Sequence, residues 1–360
     1  MRIAHLFATG GWGGAELLAS ALARQAKAEG DTVVVDAAPL AQSGLSTQGL
    51  ISAGRESRLL PWAMAAHQRL KQFKPDIVHA HLSTPAFSAA MLLAVGRLPC
   101  VATLHLLPER EWPNDFLAPV SCAITLRLAT VRPFRMRLVA VSASNCNAIA
   151  RRVGTDTVNT IVNAPAPCLV ENTQVGASGI FEGAAFKLLA IGRLERQKGF
   201  DRLISALSGR SDQDIDFRLA VVGAGPELQA LQEQCKGASL SNRVHFAGAV
   251  SGRPLMKEAD LVVCSSRYEG MPLVPMEAVL AGCPVVVSSI EAHRELFGDV
   301  PDAILPDAAS DWGHTLRALM SDATRLARLK ASQAPLAPGF SFQRMWSEYC
   351  ELYKRVVAQS

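Results

Sequence analysis

No stretch of this 360-residue chain is long and apolar enough to cross a bilayer. The longest apolar run, residues 87–95, falls well short of the roughly 20 residues a spanning helix needs. The first residues, MRIAHLFAT, carry too short an apolar run for a secretory leader, show no cleavage site and lead straight into a glycine loop. Metal and disulfide patterns are missing too. The cysteines at 100, 122, 146, 168, 235, 264, 283 and 350 form no CxxC pair and no Cys/His metal spacing, which points to reduced thiols in a cytosolic protein. Internal repeats and low-complexity tracts are absent. No charge sign dominates: 36 Lys/Arg stand against 32 Asp/Glu, a net +4. With 49% hydrophobic and 19% charged residues, the composition is that of a soluble globular protein.

Length and charge placement divide the chain. A chain of 360 residues suits two domains of about 150–200 residues each. Residues 1–165 hold 16 Lys/Arg and 10 Asp/Glu, a balance of +6, and the remainder holds 20 and 22, a balance of −2. A basic first half suggests an acidic partner for it.

Apolar runs and helical periodicity alternate. Strands are expected at residues 3–8, 32–37, 76–81, 100–104 and 138–141, with a helix over 15–28. Around residues 163–185 the pattern breaks into Pro, Gly and Ser/Thr/Asn, marking a linker. It resumes with strands at 187–191, 217–222, 244–246, 261–264 and 285–287, and helices at 200–207, 227–235 and 276–281. Phe342, Met345, Trp346, Tyr349, Leu352 and Val356 share one face of a last helix. Such alternation argues for two doubly wound parallel-sheet α/β domains, which bind ligands at the carboxyl ends of their strands.

Several motifs fall at those ends. GGWGGAE, residues 10–16, opens the first helix, where glycine amides can approach an anion. It fails the dinucleotide fingerprint because Glu16 replaces the third glycine, although Asp36 at the end of the second strand fits that rival. The loop from Gly192 to Gly199 offers Arg193 as a planar fork and Lys198 as a mobile point charge for a diphosphate; a solvated basic turn is the plainer reading. Gly223-Ala-Gly225-Pro226 fits a sharp strand-to-helix turn at least as well as ligand contact. In SSRYEGMPLVPMEAVLAGCP, residues 265–284, Glu269 and Glu277 stand eight apart. Pro275 suits a first helical position, which would place Glu277 in the first turn, either as a dipole partner or as an acceptor for a vicinal diol.

Taken together, GGWGGAE, DIVHAH, VATLHL, AVSASN, GRLERQKGFDRLI, VVGAGPE, RVHFAGAV and EGMPLVPMEAVLAGCPVV resemble, in order, the retaining glycosyltransferases of family GT4. They cover residues 1 to about 290. The resemblance implies the GT-B fold, two Rossmann-like domains facing a central cleft: 1–165 on the acceptor side, 166–340 binding the nucleotide-sugar, and a helix in 341–360 crossing back to the first domain. It implies that Gly13 and Gly14 approach the donor diphosphate, and that Arg193 and Lys198 bind it and stabilise it as it leaves. Glu269 would hold the donor sugar and Glu277 the ribose. The backbone of Gly270, Met271, Leu273 and Val274 would contact sugar and phosphate, and that of Gly248 and Val250 the base. His105, in VATLHL, matches a cleft histidine beside the transferred sugar, while His79 and His81 read as scaffold at a strand end. Asn163-Ala-Pro replaces the usual Asn-Gly between the domains, so a stiffer hinge is expected.

The expected activity is glycosyl transfer from a nucleotide-sugar, UDP by default, with retention, no cofactor and no metal. Arg127, Arg132, Arg135 and Arg137, interleaved with apolar residues, suggest docking to an anionic membrane surface from the cytoplasmic side. A glycan or lipid-linked acceptor in cell-surface polysaccharide or lipopolysaccharide biosynthesis follows, and no nucleic acid partner is expected. The alternatives are a nucleotide-sugar epimerase of the same fold, an NAD-dependent dehydrogenase and a noncatalytic nucleotide-sugar-binding relative.

Overall fold

The structure, a computed structural model, describes residues 1–9, 14–39, 51–52, 59–82, 85–106, 126–128, 130–131, 136–153, 158–166, 179–209 and 215–359. The chain forms two compact units, one of Met1–Leu169 with Phe342–Ser360 and one of Val170–Ser341. The first unit holds β1 (Arg2–Thr9), β2 (Thr32–Pro39), β3 (Ile51–Ser52), β4 (Ile77–Leu82), β5 (Cys100–Leu104), β6 (Arg137–Ala140) and β7 (Val158–Thr160). They form one parallel sheet in the order β3-β2-β1-β4-β5-β6-β7. The second unit holds β8 (Phe186–Ile191), β9 (Phe217–Val222), β10 (Val244–Gly248), β11 (Leu261–Cys264) and β12 (Val285–Val287), in the order β10-β9-β8-β11-β12.

These strands are near-continuous apolar runs because parallel sheets are covered on both faces. On one face of the first sheet, Ala4, Leu6, Val78, Ala80 and Leu138 meet Trp62, Ala66 and Leu70 of the helix Leu59–Phe73. On the other, Ile3, Ile77, Val101 and Val139 meet Leu18 and Leu22 of the helix Gly14–Ala28. That face is completed by the C-terminal helix Phe342–Ala358, which contributes Met345, Trp346, Tyr349 and Leu352. Its N-terminal end is tied by the Trp346 indole donating to Glu29 at 2.7 Å and by Arg344 donating to the Val162 carbonyl at 2.7 Å.

Each sheet grows in one direction from its first strand and then in the other. The order reverses between β1 and β4 in the first unit and between β8 and β11 in the second. At such a reversal the loops leaving two adjacent strands diverge and open a crevice. No helix among the described residues is long and apolar enough to cross a membrane.

Candidate functional site

The loops leaving β8 and β11 are stitched together at that reversal. Gly199 ends the turn Arg196–Lys198 in the left-handed conformation, φ 65°. A Cβ there would lie 2.2 Å from the Ser265 carbonyl oxygen, so only glycine lets the two loops touch. Ser265 Oγ then donates to the Lys198 carbonyl at 2.8 Å. Arg202 donates to the Ser266 carbonyl at 2.8 Å, and Arg267 grips Asp201 with two bonds of 2.7 and 2.6 Å. Gly199→Ala is expected to cost about 2–5 kcal/mol, the sum of left-handed strain and overpacking. A lowered urea midpoint checks this; an unchanged midpoint would show that the loops tolerate separation.

This seam brings three of the expected residues into one network. Lys198 Nζ lies 2.6 Å from Glu269 Oε1, which also accepts from Ser266 Oγ at 2.6 Å. Gln197, buried between the loops, donates to Glu269 Oε2 at 3.3 Å and to the Tyr268 carbonyl at 3.1 Å. The same amide accepts from Arg193 at 3.3 Å, so Gln197 links Arg193 to Glu269. Burial would raise the Glu269 carboxyl, but the Lys198 charge and the bonds from Lys198 and Ser266 outweigh it and hold it below the ordinary value. The result is an ionised carboxylate paired with the Lys198 ammonium and linked through Gln197 to the Arg193 guanidinium. Arg193 also reaches Glu195 at 3.1 Å.

Glu277 does not join this network. The helix carrying it is Leu273–Leu280, beginning three residues earlier than the sequence suggests, with Pro272 as its cap. Pro275 is therefore the third helical residue, tolerated because first-turn amides have no intrahelical partner. Glu277 falls in the second turn, where the dipole reading no longer applies. Its partner is Arg253, whose Nε and Nη2 both reach Oε1, at 3.1 and 2.7 Å. Arg253 gets there because Gly252 seats the helix Gly252–Glu258 against β8, where a Cβ would lie 2.3 Å from Ile191 Cδ1. Leu273 and Val274 open the Glu277 helix with first-turn amides, and Gly270 and Met271 are buried just before it.

Gly248 ends β10 with φ 71°, and its carbonyl accepts from Gly223 and Val250 at 2.8 and 3.0 Å. Gly225 packs on the β8 loop, where a Cβ would lie 2.4 Å from the Leu194 carbonyl oxygen; close packing is thus a sufficient reason for that glycine. The spacing Asp212-x-Asp214-x-Asp216 could suggest a metal. Of these, Asp212 and Asp214 lie outside the described residues, and Asp216, just before β9, accepts from the Ala185 amide at 3.1 Å.

In the first unit, Gly14 is the exposed first residue of its helix, and Gly13 lies outside the described residues. His105 follows β5 directly, and burial pushes its ring down to about 4. Of the basic segment, Arg132 and Arg135 lie outside the described residues, and Arg127 is exposed. Arg137 opens β6 and donates to Gln359 at 2.9 Å. Sequence reading misses Gln197, Ser266 and Arg253, since a Gln or Ser in a polar loop carries no periodic signal. It also misses His5.

Comparison with known proteins bears on both units. Residues 12–164 match the family described as Glycosyltransferase Family 4, and residues 177–333 match Glycosyl transferases group 1. The phosphatidyl-myo-inositol mannosyltransferase of Mycobacterium leprae is 26% identical over 377 residues, covering 96% of this chain and 94% of that one. A glycogen synthase of Mycobacterium tuberculosis is 26% identical over 299 residues, covering 79% of this chain and 69% of that one. Among solved structures, Anabaena HepE in complex with UDP superposes with a TM-score of 0.75 at 21% identity, covering 99% of this chain and all of that one, 100%.

Proposed function

The chain belongs to the family 4, group 1 glycosyltransferases, with the GT-B fold, and on that premise we propose that it transfers a sugar from a UDP-sugar to a hydroxyl of a glycan or lipid-linked acceptor, with retention and without a metal ion. The observation that carries this reading is the Lys198–Glu269–Gln197–Arg193 network at the β8/β11 reversal. Two cations and a carboxylate converge where a diphosphate and a polyhydroxylated sugar would lie side by side.

In the proposed reaction the bond from the anomeric carbon to the diphosphate oxygen breaks and a bond to the acceptor oxygen forms. The acceptor proton passes to the departing diphosphate. Negative charge grows on that leaving group, so Arg193 and Lys198 act by stabilising it. Glu269 holds sugar hydroxyls. Being ionised, buried and already accepting three side-chain bonds, it is better suited to that role than to nucleophilic attack, which supports same-face substitution. Glu277 receives the ribose diol on Oε2, with Oε1 held by Arg253. The acceptor is placed in cell-surface polysaccharide or lipopolysaccharide assembly, reached by peripheral docking at the inner membrane face. The +6 balance of residues 1–165 and the exposure of Arg127 and Leu128 support that placement.

A thermal-shift panel of UDP, GDP, ADP and NAD tests the reading. A ligand at a thousandfold its Kd stabilises by about 4 kcal/mol. UDP is expected to shift the midpoint, and Arg253→Ala to weaken UDP about tenfold by releasing the Glu277 carboxylate. A shift with NAD alone would reject glycosyl transfer; an undiminished UDP shift in the variant would reject the ribose assignment.

A further inference from the structure

The sheet face of the first unit leading to His105 is more polar than a parallel-sheet core requires. Along β1 and β4 it begins with Ile3 opposite Ile77, continues with His5 opposite His79 and then sets Phe7 opposite His81. Thr103 of β5 lies beside His81. His5, His79, His81 and Thr103 are all buried. Each such group is costly unless hydrogen-bonded, so four in one place ask for a role.

They form two lines. In the first, Tyr353 Oη lies 2.6 Å from His79 Nδ1, His79 Nε2 lies 2.8 Å from Thr103 Oγ1, and Thr103 Oγ1 lies 3.0 Å from Tyr349 Oη. Both tyrosines belong to the C-terminal helix, so this line fastens that helix to the sheet and occupies both nitrogens of His79. In the second line, His5 Nδ1 lies 3.4 Å from His81 Nε2, and His81 Nδ1 lies 3.2 Å from His105 Nε2.

A neutral imidazole donates from one nitrogen and accepts at the other, so protons in the second line must all point one way. Pointing inward, the last N–H would sit on His5 Nε2, which is buried without a partner. Pointing outward, that atom is only a bare lone pair, and each ring N–H within the line is used. An orphaned buried N–H is the rarer and costlier defect, so the outward sense prevails. We propose that His81, backed by His5, is a positioning residue that fixes His105 as the Nδ1–H tautomer, making His105 a hydrogen-bond donor to a hydroxyl of the transferred sugar instead of an acid–base group. This rests on the reading of His105 as the cleft histidine of a glycosyltransferase.

The line stays uncharged near neutrality. Burial pushes His5 and His105 down to about 4, and burial followed by the neighbouring histidines pushes His81 and His79 well below the ordinary value. Tyr349 and Tyr353, facing it from the C-terminal helix, are pushed upward by burial and stay neutral as well. A metal ion is the rival use of the cluster, since His5, His79 and His81 can bring one nitrogen each within 4.8 Å of one another. An ion would need a bare nitrogen from His79, and both are engaged.

The test is the ¹⁵N spectrum of the full chain labelled at histidine, at pH 7, with His105 assigned by its loss in His105→Asn. Protonated Nδ1 with bare Nε2 is expected for His5, His81 and His105, and the reverse for His79. A His105 protonated at Nε2, or metal-shifted rings, overturns the proposal whatever the activity. In turnover, His81→Leu is expected to lower kcat about tenfold with KM within about twofold, as for loss of one hydrogen bond. His81→Asn, whose amide stands near the lost Nδ1–H, should recover most of it. Equal loss in both variants, or loss in neither, overturns the positioning role. The expected tautomers in a wild-type chain that turns over no sugar nucleotide would refute the catalytic half and the glycosyl-transfer reading together, leaving the tautomer assignment intact.

Discussion

Lys198→Ala is expected to lower kcat by about 10²–10³, the loss typical of removing one preorganised donor from a developing anion. Two effects add here. The ammonium that would meet the departing diphosphate disappears. Glu269, buried and 2.6 Å from that ammonium, also loses the largest of the effects that hold its carboxyl down, leaving the Ser266 bond and the weaker influence of His293 against burial, so the carboxyl rises. Sugar binding should therefore weaken at the same time, and KM should rise with the fall in kcat. Lys198→Arg is not a conservative rescue. The lysine stem lies against Gly192, where a Cβ would come within 3.1 Å of Lys198 Cγ and Cδ, and a wider guanidinium must leave that groove. Arg193→Ala is expected to match the fall in kcat with Glu269 still paired, hence with KM less altered. Steady-state kinetics with the sugar nucleotide of the stabilising base decides it. Near-normal turnover in both alanine variants would remove these residues from the chemistry.

The second large effect is acid unfolding. His5, His79, His81 and His293 are almost completely buried. Burial pushes His5 and His293 down to about 4 and His79 and His81 well below 6.5. The unfolded chain binds protons near 6.5 while the folded one refuses them, so the unfolded state gains as pH falls. Stability is thus complete above about 6.5 and declines below it. Each group contributes up to about 1.4 kcal/mol per pH unit. His5 and His293 level off near pH 4, while His79 and His81 continue lower. His105, likewise pushed down to about 4 by burial, adds to the same decline. Against a domain stability of about 5–15 kcal/mol, unfolding is expected between about pH 6 and 4. Circular dichroism across that range checks it. Retention of the native signal at pH 4 would mean that the histidines titrate without opening the core.

How much of this was readable beforehand depended on the range of the cause. The strands β5, β9, β11 and β12 fall where their apolar runs, bounded by turn residues, place them. β3 and β7, two and three residues long, are too short for a period and exist because β2 and β6 offer them an edge. The types Arg193, Lys198, Glu269 and Glu277 are conspicuous in the sequence. Their partnerships are not, because Lys198 and Glu269 are 71 residues apart and meet only through the adjacency of β8 and β11. Pro275 misled because proline is acceptable throughout a first helical turn, not only at its first residue. His79 and His81 share a face by strand periodicity, but His5 and Tyr353 reach them through topology alone.

The C-terminal helix has a consequence for synthesis. Its residues 345–356 complete the core of a unit whose other residues end near 169, and the whole of Val170–Ser341 is made in between. At about 5–20 residues per second on a ribosome, the first sheet waits on the order of 10–30 s with part of one face, and the buried histidines on it, open to water and to other chains. The unit that begins first is therefore the one that closes last. During that wait it is the part of the nascent protein most in need of a chaperone.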